Sequence, residues 1–272
     1  TNEVYAGSMR RRVVPSLGHV RLKDLTVSQV KAAAASWKGL KPQTVNLTLD
    51  RAATMFQSAV VEGLVASNPF ALCPRFEYHR KPIDPFTPDE LRRIIADRGR
   101  SMSGPLLALL AATGMRIGEG AALDVTDYDR GTGRLSISKT FSPSHGIGPP
   151  KSKNGRRVLA LPPQARAVVE EAIGTRTAGV LFPSERGNPS NYARVSRHFR
   201  EQLDALGIRR RVPHAMRHSC ATFLVSQGVP LGDVAKWMGD SVQTIVSTYL
   251  HPSGADVGAA IGAMLTVSSS PS

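Results

Sequence analysis

The sequence predicts a mainly α chain with a small antiparallel β-sheet (α+β), divided into a short helical domain and a larger mixed one. Three observations carry that expectation. Apolar residues recur at three- and four-residue spacing along most of the chain, and two of these stripes open on capping-box patterns, Thr26 with Gln29 and Thr87 with Glu90. One pair of segments alternates with period two instead, Leu135 to Lys139 and Arg157 to Leu161, as the arms of a hairpin do. Between the two groups of helices runs a stretch with Pro82, Pro85 and Pro88, which reads as an extended linker.

At 272 residues the chain can form two domains, each with its own core. The 35 Lys and Arg outweigh 21 Asp and Glu, and the formal net charge of +14 points to a polyanion as partner. No apolar run reaches the ~18 residues that a spanning helix needs. The opening Thr1-Asn2-Glu3-Val4-Tyr5 lacks a charged lead followed by an apolar stretch, so no signal peptide is expected. Because it lacks an initiator Met, the chain is expected to begin inside a longer protein. Its two cysteines, Cys73 and Cys220, argue against a disulfide framework and for a reducing cytoplasm. No Cys/His spacing suggests zinc, and neither metal nor cofactor is expected.

Residues 1–21, with Arg10-Arg11-Arg12 and Pro15, read as a basic, irregular arm or linker remnant. Residues 22–76 read as a helical domain. Val27, Val30, Ala33, Ala34 and Trp37 stripe its first helix, and Val45, Leu49, Ala52 and Phe56 stripe a second from Pro42 to Val61 or Glu62, ended by Gly63. Asn68-Pro69 closes it, because a residue before proline avoids helix. The linker is 77–86 and carries the basic pair Arg80 and Lys81. Thr87, Pro88 and Glu90 then supply cap, first-turn proline and capping-box glutamate for a second domain, 87–252.

In that domain Leu106 to Ala112 is apolar on every side and reads as a buried helix ended by Thr113-Gly114. Arg116 follows at once on a tight turn, which gives it a rigid base, and Glu119 stands one helical turn on, where it can pair with it. Asp129 to Gly133 is a turn before the hairpin. Between the hairpin arms lie Lys151, Lys153, the Asn154-Gly155 turn signal, Arg156 and Arg157. Pro162-Pro163 opens a core helix striped by Ala165, Val168, Val169 and Ile173. Ser190 is read as the cap of a helix with Arg194, Arg197, His198 and Arg200 on one side and Val195, Phe199 and Leu203 opposite. Arg209-Arg210-Arg211 is a charge run. Residues 253–272 read as a small apolar helix and a Ser-rich tail expected to be disordered.

The rest of the chain is organised around Pro213 to Tyr249. His214 and Arg217, three apart at the start of a helix, share one face. A helix N-terminus with its unpaired N–H groups, joined by a planar guanidinium fork, suits an anion such as phosphate. Gly228 ends this helix, Pro230 opens another, Gly239 ends that one, and Tyr249 closes a third.

H-x-x-R-H at His214 to His218, the glycines Gly228 and Gly239, T-Y-x-H at Thr248 to His251, and T-G-x-R-x-x-E-x-x-x-L from Thr113 to Leu123 together resemble the catalytic half of the tyrosine recombinases, the phage integrase family. The helical segment 22–76 resembles that family's core-binding domain, shortened at its N-terminus. The resemblance implies a core-binding domain followed by a catalytic domain, and a set of roles. Arg116 and Arg217 clamp a scissile phosphate, Tyr249 attacks phosphorus, His214 acts as base or donor, and Glu119 supports Arg116. A hairpin lysine protonates the departing 5′ oxygen; the P-K-x-K-x-x-R-R form favours Lys151, and a one-residue difference in turn length leaves Lys153 open. Two guanidiniums would favour the phenolate of a tyrosine, whose ordinary pKa is ~10, and would stabilise the pentacoordinate transition state. The 3′-phosphotyrosine stores the bond energy, so no ATP is required, and the arginines supply the electrostatic work a metal would do.

One position departs from the family. After Gly239, where His or Trp is common, the chain has Asp240. A carboxylate cannot donate to phosphate unless protonated, so Asp240 is expected to face an arginine or Tyr249, with His251 as a stand-in donor. Trp237 is read as a packing residue. The partners implied are double-stranded DNA attachment sites, contacted by Arg80, Lys81, Arg156, Arg157, Arg194, Arg197, Arg200, Arg209, Arg210 and Arg211. A homo-tetramer on DNA and accessory DNA-bending or directionality factors are also implied, in a bacterial host cytoplasm and with no membrane. The function expected is integration and excision of a phage or other mobile element. The alternatives are a DNA-binding protein with weak or lost catalysis and a chromosome-dimer resolvase.

Overall fold

The computed structural model describes residues 2–78, 84–150 and 152–249. The chain falls into two compact units, Thr1–Pro82 and Ile83–Ser272. In the first, α1 (Asn2–Ser8) runs through a π-helical turn, Met9–Val13, into α2 (Val14–Leu17). Here the sequence reading of an irregular arm is corrected. Met9, Val13 and Leu17 recur every fourth residue and seat one face of the helix on the unit's core, a stripe hidden in the sequence by the arginines between them. Then come α3 (Val27–Ser36), α4 (Pro42–Val61) and α5 (Pro69–Leu72). The Thr26–Gln29 capping box forms as the spacing predicts, and Asn68 caps α5. Val30, Leu49 and Phe70 lie at the centre of this core.

The second unit is built around α7. α6 (Pro88–Ala96) opens on the Thr87–Glu90 capping box, and α7 (Gly104–Thr113) buries Leu106, Leu107 and Leu109 completely. Each such side chain is worth ~2 kcal/mol relative to exposure. α7 is apolar on every side because it is surrounded on every side. α8 (Ile117–Ala121) follows it, then β1 (Tyr128–Asp129), β2 (Arg134–Ile137), β3 (Thr140–Ser142), β4 (Gly146–Gly148) and β5 (Arg157–Ala160). The remaining helices are α9 (Pro163–Ile173), α10 (Tyr192–Ala205), α11 (His214–Ser226), α12 (Leu231–Met238) and α13 (Val242–Tyr249). α6, α8, α9, α10 and α11 all pack against α7. A satellite cluster of Ala221, Val234, Met238, Ile245 and Tyr249 ties α11, α12 and α13 together.

The fold is mainly helical with small antiparallel sheets, as the sequence predicts. The expected hairpin arms pair in the order β1-β2-β5, with Leu135 opposite Leu159 and Ile137 opposite Arg157. The β3-β4 ribbon was not foreseen; its three-residue strands are too short to show a period. The cap of α10 is Asn191, not Ser190: the Asn191 side chain accepts from Arg194 N, while Ser190 is buried. No helix among the described residues is long and apolar enough to cross a membrane.

Gly114 ends α7 in the left-handed region, with φ +68°, and turns Arg116 toward α11. A Cβ there would lie 2.8 Å from the Cβ of Cys220. Gly114→Ala is therefore expected to cost about 2–4 kcal/mol, from left-handed strain plus overpacking. Gly207→Ala shares the positive φ but would project into open space, so it should cost only about 1–2 kcal/mol. Urea unfolding of the two variants measures the difference; equal losses would contradict the close packing of α7 on α11.

Candidate functional site: a two-arginine cleft

The ends of α7, α8, α10, α11 and α13, with β3 and the turn before β5, border one cleft of about 850 Å³. Its walls include Arg116, Glu119, Thr140, Phe141, Asn154, Tyr192, His214, Asp240, Ser241 and Thr244. Arg116 stands at the N-cap of α8. Its Nη1 donates to Glu119 Oε1 at 2.9 Å and to the carbonyl of Gly239 at 3.2 Å, and its Nη2 donates to Asp240 Oδ1. Arg217, on the first turn of α11, is only 2% exposed. Its Nη1 donates to the Gly114 carbonyl at 2.9 Å, and its Nη2 to the Met238 carbonyl at 2.7 Å and Asp240 Oδ2 at 2.5 Å. Two arginines a hundred positions apart in sequence therefore share one carboxylate.

Glu119 is the strut beneath them. It is 2% exposed, and its Oε2 accepts from the Arg116 backbone N–H at 3.0 Å and from Arg157 Nη2 at 2.8 Å. Burial alone would raise its carboxyl pKa. The Arg157 guanidinium and the two Arg116 hydrogen bonds outweigh that and hold it below the usual glutamate value. Arg157 also donates to the carbonyls of Trp237 at 2.7 Å and Gly155 at 3.1 Å. Its side chain is 4% exposed, which corrects its assignment as a DNA contact. The alternation of β5 carried the signal, since Arg157 lies on the same strand face as the buried Leu159.

His214 is exposed at the cleft wall, and its ring lies 4.7 Å from that of His218 in an edge-to-face arrangement. Desolvation by the wall, reinforced by His218, Arg217 and Arg116, lowers its pKa from 6.5 to about 4. His218 is also lowered, by burial and then by Arg217. Both imidazoles are thus neutral at pH 7. The His218 ring lies 5.6 Å from that of Tyr249, and its buried Nδ1 has no hydrogen-bond partner among the described residues. Tyr249 is 8% exposed within the α11–α13 cluster. Burial raises its pKa despite the nearby positive charge of Arg217, so the phenol is protonated here.

Arg116, Glu119, His214, Arg217 and Asp240 are thus brought together, with Tyr249 behind them against His218. Lys151, the side chain of Lys153, His251, Arg80, Lys81 and the segment 253–272 lie outside the described residues. Arg156, Arg197 and Arg200 are exposed, whereas Arg194 turns toward Glu185, at 3.7 Å. The charge run before α11 is paired. Arg209 bonds Asp84, and Arg210 bonds both oxygens of Asp204 at 2.6 Å. Arg211 holds Asp84 at 2.8 Å and Glu90 at 3.0 Å over the Phe86 ring. With its side chain 9% exposed, Arg211 braces the start of α6, which corrects its reading as a DNA contact. Sequence reasoning missed Asn154, whose Nδ2 donates to the Asp240 carbonyl at 3.1 Å, and Tyr192 at the cleft rim. Neither has a sequence signal apart from the turn in which Asn154 lies. Among the described residues no cluster of His, Cys, Asp and Glu could hold a metal ion.

The depressed imidazoles link stability to pH. Between pH 6.5 and about 4 the unfolded chain binds protons that the folded His214 refuses. Stability should therefore be full above pH 6.5 and fall as the pH drops through that window. His214→Gln is expected to flatten part of this slope in urea unfolding at stepped pH; identical slopes would contradict a His214 held neutral in the folded chain.

The phage integrase family model matches residues 85–255, which hold the whole cleft. A tyrosine recombinase XerC-like protein of Caldanaerobacter subterraneus is 25% identical over 79% of this chain. An integrase of Streptomyces ambofaciens is 29% identical over 85% of it. The chain spans 63% and 66% of the lengths of these two relatives. Among solved structures, the Tn1549 transposon integrase in complex with transposon right end DNA superposes with a TM-score of 0.80 at 21% identity, covering 97% of this chain and 92% of that one. With the family model matching well over half its length, the chain belongs to the phage integrase family of tyrosine recombinases.

Proposed function

We propose that the chain is a site-specific DNA recombinase that cuts and rejoins duplex DNA through a 3′-phosphotyrosine intermediate, in the integration and excision of a phage or other mobile element. The observation that supports it most is the convergence of Arg116 and Arg217 on a single anion, Asp240, in an open cleft. In this reading the same two guanidiniums take the non-bridging oxygens of the scissile phosphate and the charge that builds up in its transition state. Glu119 and the carbonyls of Gly114, Met238 and Gly239 fix their direction in advance. His214, neutral at pH 7, accepts or donates a proton at the cleft wall. Tyr249 attacks phosphorus, a hairpin lysine, Lys151 or Lys153, protonates the 5′ leaving oxygen, and no nucleotide is consumed.

For attack the phenol must leave its packing against His218 and lose its proton, so DNA binding and tyrosine release are coupled. Exposed Arg156, Arg197 and Arg200 suit phosphate backbone contacts, as do Arg209 and Arg210, which are ion-paired but solvent-exposed. Strand exchange between two duplexes implies four copies of the chain. Its relatives include XerC tyrosine recombinases as well as an integrase, so a chromosome-dimer resolvase is the second reading. A DNA-binding role with lost catalysis is favoured by one observation, that a carboxylate occupies the clamp and the tyrosine is buried.

The test is a random-sequence pool of nicked duplexes, from which a covalent complex survives denaturing detergent. An adduct is expected with the wild-type chain and none with Tyr249→Phe. Arg217→Lys should slow adduct formation by about 100-fold or more, because a point charge cannot replace the fork. Retarded DNA with no adduct under any condition would favour the binding module. Comparing Lys151→Ala with Lys153→Ala assigns the general acid, since only its loss should stall cleavage.

A further inference from the structure

The clamp is already occupied by part of the protein itself. Asp240 presents one carboxylate oxygen to each guanidinium, Oδ1 to Arg116 and Oδ2 to Arg217 at 2.5 Å. This is the arrangement of two non-bridging phosphate oxygens, with the same unit charge. Accepting the cleft as a phosphate clamp, we propose that Asp240 is a built-in competitor for the scissile phosphate: its carboxylate holds the anion seat while the cleft is empty and is displaced when DNA binds.

Two features separate a competitor from a strut. First, the arginines are held without it. Arg217 donates to the carbonyls of Gly114 and Met238, and Arg116 to Glu119 and the Gly239 carbonyl. Second, the Asp240 backbone is pinned while its side chain borders the cleft. Its N–H donates to the Ala235 carbonyl at 3.0 Å and its carbonyl accepts from Asn154. The preceding Gly239 fixes the turn at φ +66°. The carboxylate borders the cleft with 14% of its side chain exposed, so leaving the clamp requires rotation about side-chain bonds and no backbone movement.

The charge balance explains why the seat is filled. Glu119 divides its charge between Arg116 and Arg157. Without Asp240, two adjacent guanidiniums, one of them almost fully buried, would share less than one counter-charge, which is costly in a dry site. A donor at this position would leave the empty clamp short of negative charge. A carboxylate stabilises the DNA-free chain and raises the threshold that a phosphate must pass, so stray anions and isolated phosphates are rejected unless a whole duplex supplies further contacts.

Inorganic phosphate on the DNA-free chain tests this directly. Thermal unfolding at rising phosphate concentration gives affinities for wild type, Asp240→Asn and Asp240→Ser. Both variants should melt below wild type without phosphate, bind phosphate about tenfold or more tightly, equivalent to ~1.4 kcal/mol, and recover stability as it saturates. Adding Arg217→Lys to Asp240→Asn should erase the gain. Phosphate affinity equal to or below wild type in both variants would overturn the proposal and make Asp240 a strut. If neither variant folds, crystals of the wild-type chain in saturating tungstate decide: the Asp240 side chain is expected outside the clamp, and tungstate bound elsewhere with Asp240 unmoved would refute displacement. The nicked-duplex pool keeps the two readings apart. Tighter phosphate binding with no adduct from wild type or variants would sustain the seat and sink the recombinase reaction.

Discussion

A guanidinium cannot be buried without replacing the water it loses, and Arg217, 2% exposed, meets that demand with two main-chain carbonyls and a carboxylate. The carbonyls of Gly114 and Met238 come from the ends of α7 and α12, so satisfying one side chain fixes where two helices stop relative to α11. Gly114 must be left-handed to offer its carbonyl and leave room for Cys220. The same turn delivers Arg116 to the cleft. Glu119, held by Arg157 from β5 and by Arg116, joins the sheet to this arrangement. These charges form one connected network in which the buried members, Arg217, Glu119 and Arg157, depend on partners from several elements.

Much of the fold was legible because its signals are local. The Thr26 and Thr87 capping boxes, the all-apolar α7 and the alternation of β2 and β5 each follow from hydrogen-bond completion or side-chain period within a few residues. Reading failed where two signals overlapped. The run Arg10-Arg11-Arg12 masked the apolar face of Met9, Val13 and Leu17, and Ser190 was taken as the cap of α10 where its neighbour Asn191 fills that place. The β3-β4 ribbon forms from segments too short to have a period and is stabilised by pairing and contact with α8.

The site was legible to a different depth. Arg116, Glu119, His214 and Arg217 could be named from spacing, but spacing does not say what sits between them. Asp240, expected to face an arginine or Tyr249, faces both arginines at once, which the sequence alone did not indicate. Charge runs were the weakest guide. Arg157 and Arg211 have the composition of a DNA contact, but each is turned inward by a carboxylate distant in sequence, Glu119 for one and Asp84 with Glu90 for the other. Whether an arginine faces a solvent-borne partner or its own fold depends on tertiary pairing, which no local window records.

The central claim is that Arg116 and Arg217 form one seat for one oxyanion. A double-mutant cycle on phosphate affinity measures it most directly, using Arg116→Gln, Arg217→Gln and the pair, all in the Asp240→Asn background where the seat is vacated. A shared seat predicts that each single change removes most of the binding and that the double change removes little more, a coupling of about 1 kcal/mol or larger. Losses that simply add would mean two independent anion sites and would contradict the account.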